Sequence, residues 1–216
     1  MGLGARLAAF HQADLYVVIT GAFCAGRSPL EVLDRTLAAG VRLIQLREKD
    51  LEGRGYYELA VEFRRRTAAA RALLIIDDRV DMALAAGADG VHLGQEDLPV
   101  AAARRIAPDL IIGASTHSLE EALAAQEAGA SYLNIGPIFA TPTKPGVIPL
   151  GVGAIEHIAP RLRIPWTTMG GINQSNIALV VARGARHPAV MSAVTAAPDV
   201  TAAARALREA IIGGGG

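Results

Sequence analysis

Short apolar runs alternate with alanine-rich stretches along almost the whole chain. The runs are LYVVIT (15–20), LIQLRE (43–48), LLIIDD (73–78), GVHLGQ (90–95), LIIGAS (110–115), YLNIGPI (132–138), WTTMGG (166–171) and AVMSAV (189–194). They are continuous rather than alternating, as in parallel strands covered on both faces. Between them apolar residues recur at spacings of three and four, which is helical. Several of these stretches end at a glycine placed for a C-cap, as in AAGV (38–41), AAGAD (85–89), EAGAS (127–131) and ARGAR (182–186). Strand–helix alternation predicts a parallel sheet, and eight such units close naturally into one (β/α)₈ barrel. That domain is read over residues 1–216, with flexible ends at about 1–13 and 212–216. A doubly wound sheet is the alternative, but it usually carries fewer strands at this length.

The polar residues of these runs gather at their C-terminal ends, where such barrels place their active sites. They are Gln45, Arg47, Glu48 and Lys49, then Asp77 and Asp78, then Gln95, Glu96 and Asp97, then Ser115, Thr116 and His117. Carboxylates on neighbouring strands serve a hard cation such as Mg²⁺, a glycosidase-type acid/base pair, or merely a ring of rim salt bridges. Arg47 and Lys49, one strand away, favour magnesium with a polyphosphate, because an Arg fork matches phosphate oxygens. On the opposite arc, MGGIN (169–173) and MSAV (191–194) offer backbone N–H groups for a phosphate monoester. Two phosphorylated ligands and one metal point to group transfer with pyrophosphate leaving.

Composition narrows the field further. The 21 basic residues balance 21 acidic ones, which removes a general electrostatic case for nucleic acid or an anionic membrane. RRR (64–66) is the only basic run and reads as a solvated helix face. Cys24 is the only cysteine, so it forms no intrachain disulfide and reads as a packing residue. No stretch reaches the roughly 18 apolar residues of a membrane span, and no secretion signal is recognised at the N-terminus; the expected location is the cytoplasm. His11, His157 and His187 are expected at the surface and His92 in the core. Ser115 and His117, two apart at a strand end, form no visible nucleophilic triad.

QLREKD (45–50), DDRVDMALAAGADGVHLGQEDLPV (77–100), GASTHSLEEA (113–122), NIGPIFATPTKPG (134–146), MGGIN (169–173) and MSAVTAAPD (191–199) together resemble the thiamin phosphate synthase family. The resemblance runs from about residue 14 to 210. It implies a cytoplasmic (β/α)₈ transferase joining an aminopyrimidine methyl pyrophosphate to a thiazole phosphate, with pyrophosphate leaving by a dissociative route. In this reading the partners are those small molecules, and homo-oligomerisation is left open. The resemblance places Mg²⁺ on Asp78 and Asp97, and the pyrophosphate on Arg47, Lys49 and Lys144. Gln45 and Ser115 fall on the pyrimidine and pyrophosphate side, and Thr141 and Thr143 on the thiazole phosphate loop. Gly171, Ser192 and Val194 supply backbone N–H groups to that phosphate. Residues 140–150 are expected to close over both substrates. Two places depart from the family pattern: Asp77 stands where Asn is usual, and GARHPAVMSAV (184–194) replaces a usually small, apolar stretch, with Arg186 and His187 expected at the start of strand eight, away from the site. The same-fold alternative is a thiazole tautomerase carrying a His like His117, and the non-enzymatic one is a binder of thiamin intermediates.

Overall fold

The computed structural model describes residues 1–141 and 146–214. In chain order they form α1 (Leu3–Gln12), β1 (Tyr16–Ile19), α2 (Pro29–Ala38), β2 (Leu43–Leu46), α3 (Gly53–Ala69) and β3 (Leu73–Asp77). Then come α4 (Val80–Ala85), β4 (Gly90–Leu93), α5 (Val100–Ile106), β5 (Ile111–Thr116), α6 (Leu119–Glu127) and β6 (Tyr132–Ile135). The last third holds α7 (Gly153–Ile158), β7 (Trp166–Thr168), α8 (Ile177–Val181), β8 (Ala189–Val190), α9 (Ser192–Thr195) and α10 (Val200–Gly213). All eight predicted strands are present, most of them shorter than the apolar run that announced them.

The strands are parallel and ordered β7-β6-β5-β4-β3-β2-β1-β8, and a single parallel bridge between Thr168 and Pro188 brings the two edges together. The sheet is therefore a nearly closed barrel wrapped by helices. Successive strand residues face opposite sides, and the two parities have separate destinations. Val17, Ile19, Ile44, Leu46, Leu74, Ile76, Val91 and Ile112 face outward into the layer beneath the helices. Tyr16, Leu43, Leu73, Ile75, Ile111, Tyr132 and Ala189 face the barrel axis.

The first thirteen residues differ from the loose end read from the sequence. Helix α1 lies under the barrel, and Phe10 is fully buried, with its ring centroid 4.8 Å from that of Tyr132 and 5.0 Å from that of His187. His187, expected at the surface, is buried, and its Nδ1 lies 2.8 Å from Ala13 O. That contact belongs to the closed end of the barrel. Burial pushes the His187 imidazole below its ordinary titration range.

The basic run also departs from a purely solvated face. Arg65 is exposed, but Arg64 Nη1 reaches inward to Asp89 Oδ2 at 2.6 Å. Asp89 is almost wholly buried; it accepts from Leu74 N at 3.0 Å, and Arg6 of α1 lies 3.5 Å away. Cys24 is buried as a packing residue, and burial raises its thiol to about 11.

Candidate active site

A cavity of about 370 Å³ opens at the C-terminal ends of the strands. The axis-facing column of each strand explains why it opens there. Leu43 is followed upward by Gln45 and Arg47, Ile75 by Asp77, and Tyr132 by Asn134 and Gly136. The N-terminal member of each column packs in the apolar layer, whereas Gln45, Arg47, Asp77, Asn134 and Gly136 line the cavity. The barrel axis thus changes from apolar to polar along its length.

Most of the sequence-predicted residues come together here. Gln45, Arg47, Asp77, Ser115, Thr141, Gly171 and Ser192 line the one cavity, and His117 joins them. Lys49, Asp78 and Asp97 sit beside it. Lys49 Nζ lies 3.4 Å from Asp77 Oδ2 and forms an ion pair with Asp78, while Arg47 Nε lies 3.4 Å from the same Asp77 oxygen. Consecutive strand residues would normally diverge, but Asp78 adopts φ +61°, a left-handed conformation that Asp tolerates better than most residues. That turn ends β3 and lets both carboxylates reach Lys49. Burial raises the Asp77 carboxyl above its ordinary range, opposed by the pull of Lys49 and Arg47, and the nearby Asp97 charge adds to the rise. Asp97 Oδ2 accepts from Gly94 N at 2.6 Å, which holds the β4 loop in place.

The opposite arc is built on backbone. Gly170 and Gly171 have φ +100° and +64°, and segment 137–140 crosses directly over them. A Cβ on Gly170 would stand 2.6 Å from Pro137 Cα, and one on Gly171 would stand 2.8 Å from Phe139 Cβ. Only glycine meets both demands. Ser192 and Ala193 at the start of α9 complete this wall. Val194 departs from expectation: it is fully buried and its N–H donates to Met191 O at 2.9 Å, so Ala193 takes its place in the lining.

Thr143 and Lys144 lie outside the described residues, as does the middle of the loop expected to close. Its flanks are tied down: Phe139 N donates to Gly170 O at 3.0 Å, and Leu150 N donates to Pro137 O at 2.8 Å. His92 and Asn134 are cavity residues that the sequence reading did not propose. Both share the axis-facing parity of Gln45 and Ser115, the one signal that could have found them. His92 is buried as expected, yet its ring forms part of the cavity floor. Asn134 Oδ1 accepts from Thr167 Oγ1 at 3.0 Å. His117 Nδ1 lies 3.0 Å from Glu121 Oε2, one helical turn away.

The family model for thiamine monophosphate synthase matches residues 15–194. A thiamine-phosphate synthase of Chloroflexus aurantiacus is 49% identical over 195 residues, covering 90% of each chain. The chain belongs to the thiamine monophosphate synthase family. A second family member, the thiamine-phosphate synthase of Moorella thermoacetica, is 46% identical over 202 residues, covering 93% of this chain and 96% of the relative. The solved thiamine phosphate pyrophosphorylase of Pyrococcus furiosus superposes with a TM-score of 0.88 at 40% identity, covering 95% of this chain and 98% of that one. The family is one of transferases, and the match includes both arcs of the cavity rim. Among the described residues no helix is long and apolar enough to cross a membrane.

Proposed function

We propose that this chain catalyses thiamin phosphate formation from an aminopyrimidine methyl pyrophosphate and a thiazole phosphate, in the cytoplasm. The observation that carries this reading is one cavity bounded by cations and carboxylates at β2–β4 and by a glycine-lined backbone wall at β7–β8. Two anionic groups of different charge can then be held on opposite arcs, with their reacting carbons and nitrogens between them. Retention of Arg47, Lys49, Asp78 and Asp97 favours this synthase over a tautomerase, which has no pyrophosphate to hold.

Among the described residues no three acidic or imidazole groups stand close enough to form a ready-made metal cluster, so the fit to Mg²⁺ rests on one or two carboxylates with substrate oxygens completing the shell. Asp77 and Asp78 already hold the Lys49 ammonium between them, and Asp97 adds a third carboxylate nearby. Magnesium takes one or two carboxylates and completes its shell with water and phosphate oxygens. Asp78 and Asp97 would hold it, and when bound it supplies Lewis-acid stabilisation of the leaving pyrophosphate.

The protein's own groups account for the rest. Arg47 and Lys49 neutralise negative charge as it builds on the departing oxygens. Gln45 and Ser115 hold the pyrimidine so that its methylene carbon faces the thiazole nitrogen. Gly171, Ser192 and Ala193 bind the thiazole phosphate through backbone groups, and Thr141 borders it. The thiazole nitrogen is already nucleophilic, so positioning alone suffices and no protein nucleophile is required. The cation formed as pyrophosphate leaves is sensitive to water, so both substrates must be in place and water displaced from between them before it forms.

The test is release of inorganic pyrophosphate by the purified protein. Release should require both substrates and divalent metal, should stop with EDTA, and should fall by orders of magnitude in Asp78→Ala. Release without the thiazole phosphate would identify a hydrolase instead.

A further inference from the structure

Five side chains form an unbroken hydrogen-bonded chain across the floor of the cavity. Gln45 Nε2 lies 2.7 Å from Tyr16 Oη, which lies 3.0 Å from Tyr132 Oη. Tyr132 Oη lies 2.8 Å from His92 Nδ1, and His92 Nε2 lies 2.9 Å from Ser115 Oγ. Both tyrosines are completely buried, and neither lines the cavity. Yet the two ends of the chain, Gln45 and Ser115, do line it, and so does His92.

Proton counting gives the chain a direction. The Gln45 amide N–H donates to Tyr16 Oη, so the single Tyr16 proton is left for Tyr132 Oη. The Tyr132 proton then goes to His92 Nδ1, which must be the unprotonated ring nitrogen. His92 therefore carries its proton on Nε2 and donates to Ser115 Oγ. At the two ends this leaves Gln45 Oε1 as an acceptor and the Ser115 O–H as a donor, both toward the cavity. Burial raises the titration of both phenols, so they stay protonated throughout the neutral range.

The backbone is shaped to admit the chain. Gly113 sits beside His92 in the β4–β5 register, and a Cβ there would clash with Tyr132 Cζ and with its hydroxyl oxygen, both too close for any side chain. Phe10 supports the same ring from below. A buried polar chain with every member paired is stiff, and its polarity is set as a unit.

We propose that Tyr16 and Tyr132 are positioning residues that set the hydrogen-bond polarity of the cavity floor, so that it selects a pyrimidine with a donating amino group and an accepting ring nitrogen. The inference rests on the synthase reading above. It assigns the buried tyrosines a part in substrate discrimination: a 4-oxo pyrimidine would present an acceptor to the Gln45 carbonyl oxygen and leave that buried group unpaired.

The test uses Tyr16→Phe and Tyr132→Phe, which keep the packing and remove only the hydroxyl. Calorimetry would measure binding of the aminopyrimidine methyl pyrophosphate and of its 4-oxo counterpart to the wild-type protein and both variants. Each variant should lose about tenfold in affinity for the amino compound and narrow the amino-to-oxo preference by a similar factor. The double variant should be no worse than either single one, since a relay broken once has already lost its polarity. The KM for the thiazole phosphate should not move, and thermal melting confirms that each variant is folded. Unchanged preference in folded variants would overturn the proposal, and so would an equal loss for both substrates. Product formation in the same preparations tests the synthase reading separately, and failure of the wild-type protein to bind either pyrimidine would overturn both.

Discussion

Asp77 stands where the resemblance leads one to expect Asn, and its surroundings pair the added carboxylate with two cations. The carboxylate is buried between Arg47 Nε and Lys49 Nζ, each 3.4 Å away, so its charge is balanced by the two cations assigned to the pyrophosphate. An incoming pyrophosphate must compete with it for them. Asp77→Asn should therefore lower the KM for the pyrimidine pyrophosphate by about three- to tenfold in steady-state kinetics, because the charge-assisted contacts it frees become available to the substrate. A higher KM would mean that the carboxylate aids binding rather than competing with it. At this scale the sequence located the polar residues that line or flank the cavity wherever they sat at or just past a strand end, as at Arg47, Asp78 and Ser115. It was less legible one step deeper. His92 and Asn134 resemble core residues in a continuous apolar run, and only their parity relative to Gln45 and Ser115 marks them as facing the axis. Val194 was misplaced for a different reason: the α9 turn consumes its N–H, and the strand-like run MSAV gave no sign of a helix.

At the scale of elements, α1 closes the bottom of the barrel, although nothing in its composition distinguishes it from a loose terminus. Its moderate apolar content becomes meaningful only when the open end of the barrel supplies a place for Phe10. Truncation by Phe10→Ala should destabilise the fold by about 3–5 kcal/mol in chemical denaturation, as for other fully buried aromatic residues. A loss within a few tenths of a kcal/mol would mean that α1 is not part of the cooperative unit. The Gly170-Gly171 turn behaves as one element with segment 137–140, because that strap occupies the space any side chain would need. Gly171→Val should therefore raise the KM for the thiazole phosphate and also lower stability. A phosphate effect with no change in melting would mean that the strap yields freely. The eight strands and the helices between them were readable because apolar runs alternate with alanine-rich stretches, several of which end at a glycine. The strand ends were overestimated where turns such as Asp78 and Met191 take over.

The whole molecule divides into a closed, apolar end and an open, polar end, and pH acts on the two differently. At the closed end His187 is held neutral by burial, its pKa lying below that of the unfolded chain. The stability it contributes is fully present above the unfolded value and is lost as the pH falls through the folded one, since the unfolded chain takes up the proton first. Melting temperature should thus decline as the pH falls below the unfolded-chain value of about 6.5, and His187→Asn should flatten that decline. An identical slope in the variant would assign the acid sensitivity to other groups.

At the open end, the central claim is that one cavity holds two phosphorylated heterocycles and joins them. Mass spectrometry of the reaction mixture tests it most directly, with the purified protein, the aminopyrimidine methyl pyrophosphate, the thiazole phosphate and Mg²⁺. Thiamin phosphate that appears only when both substrates are present, and that vanishes when either is withheld or the metal is chelated, is the predicted result. Both substrates recovered unchanged from folded protein would contradict it.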